Sequence, residues 1–109
     1  MISELGLNVF NLVPSTLEEE VSSLYCGDLL SDVMGHIQPG AVWFTIQGHI
    51  NSVAVAQLKD VLCIVLVNGV EPDSQSLEKA QYQGICMLGS KESSADLCIK
   101  YAQVTMKKT

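Results

Sequence analysis

The sequence has no arginine. Its six basic residues are all lysines, against twelve Asp and Glu, which gives a formal net charge of −6. Phosphate contacts in nucleic-acid complexes come mostly from Arg and Lys, so an acidic chain without arginine argues against a nucleic-acid partner. Long apolar runs are missing as well. The longest, Val61 to Val67, is far below the ~20 residues a membrane-spanning helix needs. The start, MISELGLNVFNLVP, carries neither a basic n-region nor an apolar stretch, so it is not read as a secretory signal. No C-x-x-C pair joins any of Cys26, Cys63, Cys86 and Cys98, which leaves zinc and redox motifs unsupported. Three of these cysteines lie inside apolar segments, where a free thiol behaves as a small buried hydrophobe, as is ordinary in a reducing compartment. The expectation is a cytoplasmic protein that does not enter the membrane.

Catalytic signatures are scarce too. There is no G-x-x-x-x-G-K-[ST] and no G-x-S-x-G, and no nucleophile–base pair is visible. His36 and His49, with no carboxylate cluster beside them, do not make a metal site. The expectation is a non-enzyme with no cofactor.

What is present is enough for one domain. A chain of 109 residues, 48% apolar and 17% charged, can bury a core without staples and is not intrinsically disordered. Residues 1–25 are the least regular and residues 26–104 form the expected core. A short helix precedes Gly6, Leu7–Leu12 reads as a strand, Pro14–Glu20 as a loop, and Val21–Cys26 as a second strand. Asp28 is expected to cap a helix, Leu29–Met34, closed by Gly35. Past the Gln38-Pro39-Gly40 turn, Ala41–Gln47 and Val61–Val67 are near-continuous apolar runs bounded by glycine, the pattern of strands buried on both faces. Asn51–Lys59 between them has crossover length and reads as a helix. Asp73 or Ser74 caps another helix that ends at Gly84, Ile85–Leu88 is a short strand, and Ser93-Ser94-Ala95-Asp96 opens a last helix as a capping box. In that helix Ala95, Cys98, Ile99 and Ala102 are expected to form the core stripe. Strand and helix alternate, which predicts an α/β domain with a mostly parallel sheet flanked by helices.

In such a sheet ligands bind beyond the carboxyl ends of the strands. The segments there contain Asp28, then Gly48, His49 and Asn51, then Asn68, Gly69 and Glu71, then Ser90 and Lys91, and these converge on one edge. His49 is placed to hydrogen-bond a ligand or act as an acid/base, or equally to cap the following helix or stand solvated. Asp28 and Glu71 are the acidic residues expected near it. His36 is expected to meet Asp32 one turn earlier, and Trp43 and Phe44 are read as core or interface residues. The glycines also have a simpler role, since tight strand-to-helix turns use them anyway.

Four segments, CGDLLSDVM, WFTIQGHINSVAVAQLKD, CIVLVNGVEPD and EKAQYQGICML, follow one another with the order and spacing of a known family. From Cys26 onward the chain resembles the DRTGG domain family, over about three-quarters of its length. The first half of the family's motif falls here on Gly48, His49 and Ile50, and the second on Val67, Asn68 and Gly69. The defining Asp-Arg is absent and only the last Gly of Thr-Gly-Gly remains; His49 and Asn51 match the His-x-Asn of small stand-alone members. The resemblance implies an α/β domain akin to the N-terminal domain of the bacterial HPr kinase/phosphorylase, which lacks the kinase site. It also implies a regulatory or dimer-forming role. The leading expectation is a regulatory or sensory domain that dimerises and binds a small ligand, a nucleotide or phosphometabolite, through Gly48, His49, Asn51, Asn68, Gly69 and Asp28. The second is an interaction protein without a ligand, serving a partner enzyme through an apolar surface carrying Trp43 and Phe44.

Overall fold

The computed structural model describes residues 2–106, the side chains of Ser3 and Leu17 excepted. A 3₁₀ turn, Ile2–Leu5, leads into β1 (Asn8–Asn11), α1 (Pro14–Glu18), β2 (Leu24–Cys26) and α2 (Leu30–His36). Then follow β3 (Val42–Thr45), α3 (Ile50–Leu58), β4 (Cys63–Leu66), α4 (Ser74–Gln83), β5 (Cys86–Gly89) and α5 (Ser94–Met106). The five strands make one sheet in the order β1-β5-β4-β3-β2. β2, β3, β4 and β5 are parallel, and β1 runs antiparallel beside β5. The protein is therefore the α/β domain with a mostly parallel sheet that the alternating pattern predicts.

β3 and β4 are buried at every position, as continuous apolar runs in a covered sheet require. Alternate residues face opposite sides. Trp43, Ile64, Leu66 and Met87 pack with Val33 of α2, Val53 and Ala56 of α3 and Ala80 of α4. Val42, Phe44, Cys63, Val65 and Leu88 pack with Leu97 of α5 and Ile2 of the first turn. Helices α2, α3 and α4 thus form one layer and α5 the other. A fully buried Val, Leu, Ile or Phe contributes roughly 1.5–3 kcal/mol, and Trp43 and Phe44 are completely buried. That removes them as an interaction surface; both belong to the core.

Several local expectations are corrected. Pro14–Glu18 is a helix rather than a loop, because Pro at the first helical position presets φ and gives up a donor that would have no partner there. Asp28 does not cap α2: Leu29 holds the cap position without a side-chain bond, and the Asp28 carboxylate turns toward β3 instead. Gly35 lies inside α2, which continues to His36. The buried face of α5 is Leu97, with Cys98 and Tyr101 packed beside it, while Ile99 is 56% exposed and Ala95 and Ala102 face out. Both stripes have helical spacing, and the one with Leu97 and Tyr101 buries more apolar area.

Other expectations match. Asp73 caps α4 by accepting from the Ser76 N–H at 2.8 Å, and Gly84 closes it in the left-handed conformation at φ 71°. The Asp96 N–H donates to Ser93 Oγ at 3.1 Å at the start of α5. His36 Nδ1 lies 3.2 Å from Asp32 Oδ1 one turn away.

Candidate functional site at the carboxyl edge of the sheet

The loops that follow the parallel strands meet at one edge. At the β2–α2 turn, Asp28 Oδ1 accepts from Thr45 Oγ1 at 2.8 Å and from the Ile46 N–H at 2.9 Å. Gln47 Nε2 donates to the Asp28 carbonyl, and Trp43 Nε1 to the Gly27 carbonyl, each at 2.9 Å. Asp28 therefore braces this turn against the end of β3.

The β3–α3 loop leans on the β4–α4 loop. A Cβ on Gly48 would stand 2.9 Å from the Glu71 carbonyl oxygen, so only glycine permits this approach. The Gly48 carbonyl accepts from Ser76 Oγ at 2.8 Å and from the Asp73 N–H at 3.2 Å. His49 is the residue before α3, its side chain making no cap bond. Its Nδ1 lies 3.9 Å from Asp73 Oδ2, both side chains more than half exposed, a separation too long for a hydrogen bond. The Ser76 N–H, foremost, holds the Asp73 carboxyl below its ordinary value of 3.8, and the nearby His49 adds to this. The acidic side chain closest to His49 is thus Asp73, in place of the expected Asp28 and Glu71. It is already committed to capping α4. Asn51 stands exposed in the first turn of α3.

Asn68 and Gly69 open the β4–α4 loop with consecutive positive φ values of 57° and 76°. Their N–H groups donate to the Glu92 carbonyl at 3.0 Å and the Ser90 carbonyl at 2.9 Å, which joins this loop to the one after β5. Beyond the two loops lies a groove of about 450 Å³ lined by Gly69, Val70, Glu71, Ser90 and Lys91, with Asn8 and Phe10 supplied by β1. The Lys91 side chain passes Gly69, and among the described residues Lys91 makes no salt bridge.

The expected site residues thus fall into three places. Gly48 and His49 lean on Glu71–Asp73, Asn68 and Gly69 on Ser90–Glu92, and Asp28 braces β3. Only Gly69 of the six lines the groove. The groove residues missed by sequence reading are Asn8 and Phe10. Nothing local marks them, because β1 reaches this edge only by running antiparallel to β5. A second cleft, about 370 Å³, lies at the opposite end of the sheet among Thr16, Gly40, Asp60, Val61 and Gln83. A third, open hollow of about 600 Å³ separates Ile50 of α3 from Lys79 and Tyr82 of α4. Among the described residues no group of three His, Cys, Asp or Glu side chains could hold a metal ion, and no helix is long and apolar enough to cross a membrane.

These features define a three-layer α/β domain whose loops gather at one sheet edge. No family model matches the sequence, and no curated protein matches it. Among solved structures, the chain is similar to the CBS and DRTGG domains of the regulatory region of Clostridium perfringens pyrophosphatase, complexed with its activator diadenosine tetraphosphate. The TM-score is 0.62 at 12% identity, over 89% of this chain and 42% of that one. The likeness is one of fold, in line with the fold that the DRTGG resemblance implies, and the neighbour is a regulatory region.

Proposed function

We propose that this chain is a stand-alone regulatory or sensory domain of DRTGG type that dimerises and binds a small anionic ligand, a nucleotide or phosphometabolite, at the carboxyl edge of its sheet. The observation that carries this reading is the groove at the ends of β4 and β5. There Lys91, without a salt bridge among the described residues, stands over Gly69 in a chain whose net charge is −6. A lysine without a carboxylate partner is available to contact an anion, and the groove's lining suits a mixed ligand. Glu71, Asn8 and Ser90 offer hydrogen bonds, while Phe10 and Val70 offer apolar contact. Gly48, His49 and Asn51 extend the same edge past Glu71, and Asp28 fixes its far end. The neighbour's regulatory role and nucleotide activator support the class of ligand.

The test is a thermal-shift and calorimetric screen of the whole protein against nucleotides, acyl phosphates, sugar phosphates and coenzyme A. A ligand at a hundred times its Kd stabilises the fold by about 2.7 kcal/mol. Lys91→Ala is expected to weaken binding roughly 10- to 100-fold, the worth of a charged hydrogen bond. If the His49→Ala/Asn51→Ala double variant loses binding and Lys91→Ala does not, the ligand sits at the start of α3 instead of in the groove. A panel that leaves the melting temperature unchanged sinks the ligand reading.

The second reading, an interaction protein without a ligand, is favoured by one observation. Leu29, Ile46 and Ile50 are 69%, 44% and 38% exposed at the β2–β3 end of the same edge, where an apolar contact with a second copy or a partner enzyme would cover them.

A further inference from the structure

Two of the four thiols meet near the surface although 72 residues separate them in the chain. Cys26 ends β2, an edge strand, and is exposed; Cys98 lies one turn into α5 and is half-buried. Their Sγ atoms are 3.5 Å apart. The remaining thiols stand in contrast. Cys63 and Cys86 are neighbours in the β4–β5 register, both are buried, and burial pushes both upward. Thiols of that kind are inert.

We propose that Cys26 and Cys98 form a reversible dithiol–disulfide pair, closed by low-molecular-weight disulfides and reopened by low-molecular-weight thiols. To reach an S–S bond of ~2.05 Å the sulfurs must approach by roughly 1.5 Å. The more exposed Cys26 reacts first. Its thiolate attacks one sulfur of the small disulfide, breaks that S–S bond, releases one small thiolate and leaves a mixed disulfide on Cys26. The Cys98 thiolate then attacks the Cys26 sulfur, expels the second small thiolate and forms the Cys26–Cys98 bond. Two protein thiols and one small disulfide become one protein disulfide and two small thiols. The small disulfide takes up the two electrons, and the cysteine protons end on the released thiols.

The groups facing Cys26 are Cys98 and Ser94 on α5 and Asp28 in the next turn. Burial, followed by the hydrogen bond and charge of Cys98 and by Asp28, pushes the Cys26 thiol up to about 11, with Ser94 acting in the opposite direction. Exchange is therefore slow at neutral pH and accelerates roughly tenfold per pH unit below that value, because the thiolate is the nucleophile. The closed bond ties α5 to the strand end beside Gly27 and Asp28, the turn that braces β3. The pair rests on thiol geometry alone and is independent of the ligand reading above.

The experiment incubates the whole protein with oxidised glutathione at several pH values, quenches by alkylation, and reads intact mass and a non-reducing peptide map. The expected result is loss of two hydrogens, a peptide cross-linked through Cys26 and Cys98, and full reversal by dithiothreitol. The rate should climb with pH, and the closed form should melt at a higher temperature, as the long loop it closes implies. Cys98→Ser should stop at a glutathione adduct on Cys26, with Cys63 and Cys86 unmodified. Wild-type protein that stays reduced, that accumulates the Cys26 adduct without closing, or that cross-links any other pair or two chains overturns the proposal.

Discussion

Asp28 and Asp73 each lie past the end of a parallel strand, yet they act differently. Asp73 takes up the Ser76 N–H at the start of α4. Asp28 reaches across to the next strand, where Thr45 Oγ1 and the Ile46 N–H converge on one of its oxygens. The Thr45 side chain is completely buried, so its hydroxyl has little access to water if that acceptor is lost. Asp28→Ala is expected to cost about 1–3 kcal/mol, the penalty of stranding a buried donor. Asp28→Asn, which keeps an acceptor oxygen, should recover most of it. Denaturant midpoints of the two variants and the wild type check this; an Asp28→Ala midpoint equal to the wild type would show that the brace contributes nothing.

At the scale of elements, β1 is the addition that completes the groove. It pairs with β5 through Asn8–Gly89, Val9–Leu88 and Asn11–Met87, with an irregularity between Val9 and Asn11. Phe10 covers Gly89 so closely that a Cβ there would overlap its ring. Gly89→Ala must displace Phe10, and overpacking of this kind costs typically about 1–3 kcal/mol. Amide exchange should quicken across Asn8–Asn11 while β3 and β4 keep their protection; uniform loss of protection would instead mean global destabilisation. In α5, helical periodicity was legible but its phase was not, since two stripes fit and the sheet surface beneath selected Leu97 and Tyr101.

For the whole molecule, the strand order has a structural consequence. The parallel strands run 5-4-3-2 without reversal, so all three crossovers step the same way and α2, α3 and α4 share one face. From β2 onward the chain changes face only after β5, where α5 packs on the other side, together with Ile2 of the first turn. The loops after β4 and β5 are tied together where the Asn68 and Gly69 N–H groups meet the Glu92 and Ser90 carbonyls, and the groove opens beyond them against β1. The apolar rim of Leu29, Ile46 and Ile50 lies toward the other end of this edge. If that rim is where the proposed dimer forms, Leu29→Glu should shift sedimentation from twice the protomer mass to the protomer mass with an unchanged circular dichroism spectrum. A wild type that stays monomeric across micromolar concentrations removes the dimer from the proposed function.

The sequence by itself determined the alternation of strands and helices after Gly40, the two doubly buried strands, the stop of α4 at Gly84, and its cap to within Asp73 or Ser74. It also determined which loops gather at the carboxyl edge. These follow from local chemistry: apolar runs, capping side chains and glycine's access to positive φ act within a few residues. Tertiary structure decided the rest. It placed Asn8 and Phe10 in the groove, turned Asp28 from cap to brace, set Asp73 rather than Glu71 beside His49, buried Trp43 and Phe44, and brought Cys26 to Cys98. Each of these depends on which distant segment arrives alongside, and no local pattern encodes that, because contacts across tens of residues are settled only when the whole sheet and its two helical layers pack together.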